Sequence, residues 1–176
     1  DEAVNVTWAK ELERAGVHVV YGVVGLKTHC KCVLVVRQEE SGLRRYVHVG
    51  TGNYNSKTAR TYEDIGLFTC NEKIGDDVSH LFNSLTGFDK DHDFNSLIVA
   101  PRYLRSKIVQ LIENEISYGK DGHIVMKING LADARMIELL YQASEAGVRI
   151  DLIVRGICCI RPSSDHEQNI HIRSVL

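Results

Sequence analysis

The sequence has no excess of positive charge, no long apolar run and no cysteine pattern typical of a secreted protein. Its 21 Lys and Arg residues are outnumbered by 23 Asp and Glu, for a formal net charge of -2, which argues against a broad nucleic-acid surface. No stretch reaches the length of a membrane span, and Asp1-Glu2-Ala3 is no signal peptide. We therefore expect a cytoplasmic protein, in which a local cluster of positive groups would bind any anionic ligand.

The five cysteines narrow the class of protein further. They stand at positions 30, 32, 70, 158 and 159, and three of them lie within or beside Val- and Ile-rich runs. Cysteines in such runs usually behave as small buried hydrophobic residues, and disulfides are rare in a reducing compartment. The run His29-Cys30-Lys31-Cys32 lacks a second Cys/His pair at zinc-site spacing, so we predict no zinc site.

The spacing of apolar residues predicts an α/β fold. Helices are expected at 4–15, 74–85, 104–116 and 133–146, and strands at 17–21, 28–37, 46–49, 65–69, 97–99, 123–128 and 148–154. Segment 87–95 is polar and aperiodic, which predicts two modules, over residues 1–92 and 93–176. The chain has no initiating Met and stops in the apolar run Ser174-Val175-Leu176, so we expect it to be a piece of a longer protein with both modules incomplete.

The candidate site is centred on His29 and Lys31. Residues two apart on a strand point to the same side, so the predicted strand 28–37 places these two side chains together and turns Cys30 and Cys32 the other way. An imidazole is mostly uncharged at neutral pH, and a neighbouring ammonium disfavours a second positive charge on the ring. The His/Lys side is therefore expected to be a site for phosphoryl chemistry, and the cysteine side to be core.

A glycine- and asparagine-rich loop follows about twenty residues later. Glycine allows backbone N–H groups to approach an anion closely, and asparagine adds amide donors. We assign a phosphate-binding role to four of its residues: Gly50, Gly52, Asn53 and Asn55. Asn53 could equally close its own turn. A nucleotide P-loop is excluded, because the two glycine positions required before Lys57-Thr58 hold Thr51 and Ser56.

Three segments of the sequence closely resemble the C-terminal catalytic half of the polyphosphate kinase family. They read GLKTHCK, RRYVHVGTGNYNSKTARTYEDIGLFT and LIVRGICCIRP, and they occur in the family's order. The resemblance implies two phospholipase-D-like α/β modules and reversible transfer of the ATP γ-phosphate to inorganic polyphosphate. It places His29 on the family's phosphorylated histidine, Lys31 on its His-x-Lys lysine, and Tyr62 and Arg155 on residues that contact ATP.

The resemblance also implies what the 176 residues lack. The family's magnesium-linked arginines are expected just before Asp1 and its second catalytic histidine just beyond Leu176, so no metal ligand is assigned in this chain and we expect the fragment alone to be inactive. His171-Ile172-Arg173 imitates a second His-x-basic motif at a position that does not match that histidine. The expected partners are ATP or ADP and polyphosphate, and the full-length enzyme is expected to be a homo-oligomer, with peripheral membrane association as an alternative to a purely cytoplasmic location.

Two other functions remain open on sequence grounds. A phospholipase-D-type phosphodiesterase uses the same His-x-Lys, but typically carries an Asp four or five residues after the lysine, where this chain has Val35 and Val36. A non-catalytic polyanion-binding module would use a basic patch comprising Lys27, Lys31, Arg44 and Arg45. The first predicts hydrolysis of a phosphodiester, and the second predicts binding without a covalent phosphate.

Overall fold

A computed structural model describes residues 2–88, 93–161 and 169–175, and the α/β class predicted from the sequence is confirmed. In chain order the elements are α1 (Glu2–Arg14), β1 (Lys31–Glu39), β2 (Gly42–Gly50), β3 (Gly66–Thr69), α2 (Glu72–Leu85), α3 (Leu104–Tyr118), β4 (His123–Ile128), α4 (Ala134–Glu145), β5 (Arg149–Val154) and β6 (Ile170–Arg173). No helix in these described segments has the length and apolarity to span a bilayer.

The chain divides into two compact units. The first comprises residues 1–54 and 64–97, and the second comprises 55–63 and 98–176. The domain boundary predicted between residues 92 and 93 stays a prediction, because residues 89–92 lie outside the described segments.

The first unit is an antiparallel sheet in the order β1-β2-β3. Lys31 pairs with Gly50 and Glu39 with Gly42, so β1 and β2 form one continuous hairpin. Val47 in β2 is buried, and α2 packs on the sheet through a face that includes the fully buried Val78. Gly75 lets α2 approach the sheet, because a Cβ there would lie 2.9 Å from the Cβ of Arg45.

A buried carboxylate attaches the end of the first unit to α2. Asp77 is fully buried, and its Oδ1 accepts hydrogen bonds from the backbone N and side-chain Nδ2 of Asn95, at 3.1 and 3.3 Å. Its Oδ2 accepts from the backbone N–H groups of Ser96 and Leu97, at 2.6 and 2.9 Å. Segment 95–97 is therefore held on α2 by four hydrogen bonds to one side chain.

The second unit is a parallel sheet in the order β4-β5-β6. One face of this sheet, with Ile124, Ile150 and Leu152, packs against Leu139 and Leu140 of α4, and all five side chains are buried. Asp133 begins α4 by accepting a hydrogen bond from the N–H of Met136, which is the usual way a carboxylate satisfies a free helical donor. The predicted β-α-β unit is confirmed, with no end shifted by more than one residue.

Two predicted strands are wrong. Residues 17–21 form no strand, and Val17, Val20 and Tyr21 are exposed, because β-branched residues favour a strand only where a neighbouring strand can pair with them. Residues 97–99 form none either, because the Leu97 N–H binds Asp77 and the Val99 carbonyl accepts from the N–H of Tyr103. Strand β6 was not predicted.

Candidate functional site

His29 lies immediately before the first strand and not on it. The predicted strand 28–37 is observed as Lys31–Glu39, and residues 27–30 have no regular structure. The side chain of His29 is exposed. The alternation argument that placed His29 and Lys31 on one side of a strand therefore does not apply to His29, although the two side chains do meet.

The side chain of Lys31 folds back onto His29. Its Nζ donates a hydrogen bond of 2.8 Å to the backbone oxygen of His29 and lies 3.0 Å from both Nδ1 and Nε2 of the ring. The lone-pair directions of the two ring nitrogens diverge, so one ammonium equidistant from both cannot align with either. The positive charge thus lies against the ring while the ring itself stays open to solvent.

The glycine loop begins directly across the hairpin from Lys31, because Lys31 pairs with Gly50. The loop is fixed by its next residue: the N–H of Thr51 donates to the carbonyl of Ile65 at 3.0 Å, and its hydroxyl donates to Oδ1 of Asp64 at 3.1 Å. Gly50 and Gly52 are half-buried and Asn53 is exposed. Three of the four predicted loop residues therefore lie in the first unit: Gly50 is the last residue of β2, and Gly52 and Asn53 follow it.

Sequence reasoning missed the contact between Gly52 and the carboxylate of Asp64. A Cβ at Gly52 would lie 2.3 Å from Oδ2 and 2.5 Å from Cγ of Asp64, so any larger residue at this position would have to displace the Asp64 carboxylate. Nothing in the local pattern could indicate this, because the contact depends on β2 and β3 being adjacent. The space beside Gly52 is therefore occupied by the side chain of Asp64.

Replacing Gly52 with Ala is expected to displace the Asp64 carboxylate and break its hydrogen bond with Thr51. The loss should destabilise the chain by about 1 kcal/mol, the size of one hydrogen bond plus local strain. Urea unfolding measures this, and Asp64→Ala provides the matched background. When Asp64 is already Ala, Gly52→Ala should lower the free energy of unfolding very little further. An equal loss with and without Asp64 would contradict the close contact.

The far end of the loop is held by an aromatic cluster. Nδ1 of His48 lies 2.6 Å from the hydroxyl of Tyr54, and its ring stacks at 4.4 Å on Phe68 in β3. Gly66 leaves space for the imidazole, since a Cβ there would lie 2.7 Å from Nε2 of His48. The loop is therefore anchored at Thr51 and again at Tyr54.

The cysteines beside the site are less buried than predicted. Cys30 is exposed and Cys32 is half-buried, so the expectation that both belong to the core is wrong. Cys30 precedes the strand and lacks a covering element in the described part of the chain, while Cys32 pairs with Val49 within the sheet. Burial, and secondarily the neighbouring Cys30, raise the pKa of Cys32 to about 11.

The second unit brings Tyr62 and Arg155 together. The guanidinium carbon of Arg155 lies 4.8 Å from the centre of the Tyr62 ring, which is a cation–π geometry. Arg155 follows the last residue of β5, and its N–H donates to the carbonyl of Ile128 at the end of β4. Lys127, also in β4, donates from Nζ to the backbone oxygen of Glu63. Segment 55–63 is thus fastened at the carboxyl ends of two parallel strands, where ligands of open α/β sheets commonly bind.

The side chain of Asn55, the fourth predicted loop residue, caps a turn. Its Oδ1 accepts hydrogen bonds from the backbone N–H groups of Lys57 and Thr58, at 2.9 and 3.2 Å. This is the local hydrogen bonding that asparagine commonly makes in turns. Any contact of Asn55 with a phosphate would therefore have to come from its Nδ2.

A metal site is not formed by the side chains described here. Within residues 2–88, 93–161 and 169–175, no group of three or more His, Cys, Asp or Glu side chains is placed to hold a metal ion. Divalent magnesium is bound mainly by carboxylates, phosphates and water. The described residues thus form no three-ligand cage, and a magnesium ion held mainly through ATP phosphates and water needs none.

Comparison with known proteins identifies both parts of the chain. Residues 1–91 match the family described as polyphosphate kinase C-terminal domain 1, and residues 97–176 match polyphosphate kinase C-terminal domain 2. Curated polyphosphate kinases from Synechocystis sp. and Mycobacterium avium are 54% and 53% identical over 180 aligned residues. Both matches cover 100% of this chain and 25% of the relative, so the chain spans about a quarter of their length.

A solved structure agrees with these matches. The crystal structure of polyphosphate kinase from Porphyromonas gingivalis aligns with 99% of this chain and 30% of its own, with a TM-score of 0.83 and 41% identity. The phospholipase-D-like α/β fold expected from the sequence is thereby confirmed. Since both family models match and the relatives align along the whole sequence, the chain belongs to the polyphosphate kinase family.

Proposed function

We propose that the protein containing this chain transfers the γ-phosphate of ATP reversibly to inorganic polyphosphate, and that His29 carries the phosphoryl group between them. The observation that supports this most directly is the exposed His29 ring with the Lys31 ammonium 3.0 Å from its two nitrogens, in a chain that belongs to the polyphosphate kinase family. Residues outside this chain are part of the proposal, because the relatives are about four times longer.

In the proposed reaction a ring nitrogen of His29 attacks the γ-phosphorus of ATP. The P–N bond forms while the bond from the γ-phosphorus to its bridging oxygen breaks, and ADP leaves. The terminal oxygen of a polyphosphate chain then attacks the phosphohistidine and regenerates the free imidazole. Two similar displacements replace one difficult transfer, and the reactive P–N bond keeps both directions accessible.

The role of Lys31 follows from its position. An ammonium against the ring attracts the phosphate that must approach it. Its hydrogen bond to the His29 carbonyl fixes the ammonium where negative charge increases during transfer. The backbone N–H groups of Gly50 and Gly52 and the side-chain amide of Asn53 are proposed to bind the phosphate oxygens. Asn55 is proposed to contribute its side-chain Nδ2.

The nucleotide contacts are assigned to Tyr62 and Arg155. Arg155 presents a planar set of donors suited to phosphate oxygens, and its stacking on Tyr62 holds the guanidinium in one orientation. We propose magnesium as the accompanying cofactor of ATP, bound by residues outside this chain. Cytoplasmic location and homo-oligomerisation of the full-length protein are part of the same proposal.

The proposal is tested by labelling. Full-length protein incubated with γ-labelled ATP is expected to acquire an acid-labile, alkali-stable label, and mass spectrometry should place it on the peptide that contains His29. Adding ADP should remove the label as ATP, and adding polyphosphate should remove it into the polymer. Label on another residue would contradict the role of His29.

The same experiment separates the two rival functions. A phosphodiesterase would hydrolyse a model phosphodiester and would not transfer the γ-phosphate. A polyanion-binding module would retain binding of polyphosphate after His29→Ala and never become labelled. The kinase proposal requires both the covalent label and its transfer to ADP.

A further inference from the structure

Segment 55–63 carries Tyr62 but has little regular structure of its own. It forms one short 3₁₀ helix, Thr58–Arg60, and none of its nine residues lies in a strand. Although the segment belongs to the second unit, strand pairing therefore does not hold it against the β4-β5-β6 sheet. The position of Tyr62 must depend on individual side-chain contacts.

The sheet places Lys127 where it can make such a contact. Lys127 lies near the carboxyl end of β4 and pairs with Ile153 of β5. Its neighbours Met126 and Ile128 pack against the core that β4 shares with α4. Since successive side chains of a strand alternate between the two faces of a sheet, Lys127 is exposed on its strand and extends toward segment 55–63.

Two basic side chains contact the segment at consecutive residues. Nζ of Lys127 donates a hydrogen bond to the backbone oxygen of Glu63, and the guanidinium carbon of Arg155 lies 4.8 Å from the centre of the Tyr62 ring. The first contact is a charge-assisted hydrogen bond to the residue directly after Tyr62, so it limits where the ring can lie over the guanidinium. Tyr62 is still 38% exposed, so a ligand can reach the ring.

We propose that Lys127 is a positioning residue of the nucleotide site: its hydrogen bond to the Glu63 carbonyl holds Tyr62 where the ring stacks on Arg155 and meets ATP. Lys127 acts through Tyr62 and does not touch the nucleotide itself. The inference rests on the proposed function, because that function is what gives Tyr62 and Arg155 a nucleotide to bind.

The expected consequence of losing this hydrogen bond is weaker binding of ATP. Without it, segment 55–63 adopts positions in which Tyr62 lies away from Arg155, and the apparent Kd rises in inverse proportion to the fraction of molecules with the ring in place. For one hydrogen bond from a charged donor the rise is about tenfold. Lys127 has no part in the proposed displacement at phosphorus, so kcat should change little.

The test compares variants of the full-length protein. Lys127→Met should raise the Kd of a non-hydrolysable ATP analogue about tenfold and leave kcat for polyphosphate synthesis within about twofold. Lys127→Arg keeps a charged donor and should restore most of the affinity. The matched control Lys107→Met removes another exposed lysine of the same unit and should change neither constant. Hydrogen exchange at the Thr61 and Tyr62 amides, which donate to the Thr58 carbonyl, should accelerate in Lys127→Met alone.

A double-mutant cycle shows whether Lys127 acts through Tyr62. In Tyr62→Ala protein the ring is already absent, so adding Lys127→Met should not raise the Kd further. In Tyr62→Phe protein the ring is kept, and Lys127→Met should have its full effect. If Lys127→Met weakens binding equally in wild-type and Tyr62→Ala protein, the lysine contacts the nucleotide directly and the positioning role is overturned.

The outcomes separate this inference from the proposed function. An unchanged Kd in Lys127→Met, with or without faster hydrogen exchange, would overturn the positioning role, and so would a fall in kcat at constant Kd. If the protein binds the ATP analogue but never acquires a covalent label, the proposed phosphoryl transfer fails, and the binding and exchange measurements still decide the role of Lys127. A full-length protein that binds no ATP would overturn both.

Discussion

Replacing His29 with Ala in the full-length protein is expected to abolish the covalent label and to lower polyphosphate synthesis by roughly 10⁴-fold or more, as removal of a nucleophile does in other enzymes. The reason is that no other group in the proposal can form the P–N bond. Synthesis measured from γ-labelled ATP gives the rate, and retained binding of ATP shows that the variant is folded. The matched control is His18→Ala, an exposed histidine of the same unit, which should leave the rate unchanged.

Variants at Lys31 separate its charge from its shape. Lys31→Met keeps the length of the side chain but removes both the ammonium and its hydrogen bond to the His29 carbonyl, so we expect a loss of about 10²–10³-fold in the labelling rate. Lys31→Arg keeps a positive charge and should retain part of the labelling rate that Lys31→Met loses. Equal losses in the two variants would show that the charge is not what matters at this position.

The elements that sequence reasoning predicted correctly are those whose pattern is local. Helix α4 and strands β4 and β5 follow from apolar periodicity, because their apolar residues face one continuous core. The strand predicted at 17–21 has the same apolar character, but the described residues provide no neighbouring strand to pair with it. Propensity is a local property, whereas a strand is completed by its neighbour.

In the candidate site, too, contacts between nearby positions could be predicted from the sequence and contacts between distant positions could not. The pair His29 and Lys31 could be predicted from two positions that are only two residues apart in the sequence, although the contact comes from a folded-back lysine and not from strand alternation. The approach of Asp64 to Gly52 and the stacking of Arg155 on Tyr62 join distant positions. No periodicity or turn rule encodes such contacts, and the family resemblance suggested the second only by assigning both residues to one ligand.

The largest expected effect on stability is at Asp77. Asp77→Asn keeps the volume of the side chain but turns an NH₂ group toward donors that now bind a carboxylate oxygen. Because the side chain is fully buried, the variant should lower the free energy of unfolding by about 2–4 kcal/mol. Urea unfolding of the 176-residue chain measures the loss, and hydrogen exchange at Ser96 and Leu97 should accelerate with it.

The adjacent residue provides the control. Asp76 lies on the same helix, with 57% of its side chain exposed and an ion pair of 3.4 Å to Arg45. Asp76→Asn removes the same charge from nearly the same place, but an exposed ion pair is worth little, so the change should be within about 0.5 kcal/mol. Net charge alone would affect both variants equally, and only the buried hydrogen bonds distinguish them.

In acid, the wild type and Asp77→Asn are expected to become similar in their free energy of unfolding. Burial alone would raise the pKa of Asp77, but hydrogen bonds from Ser96, Leu97 and Asn95 outweigh it and hold the pKa below its ordinary value. The carboxylate therefore contributes its full stabilisation above its unfolded pKa of about 4, and this contribution is lost as the pH falls through the lower folded-state value. Urea unfolding at pH 7 and in strong acid should show that the difference in free energy of unfolding between the two proteins becomes smaller in acid. The reason is that the protonated carboxyl group of the wild type, like the amide of the variant, turns a donor toward segment 95–97. A gap that stays constant with pH would mean that Asp77 holds the segment through its shape and not through its charge.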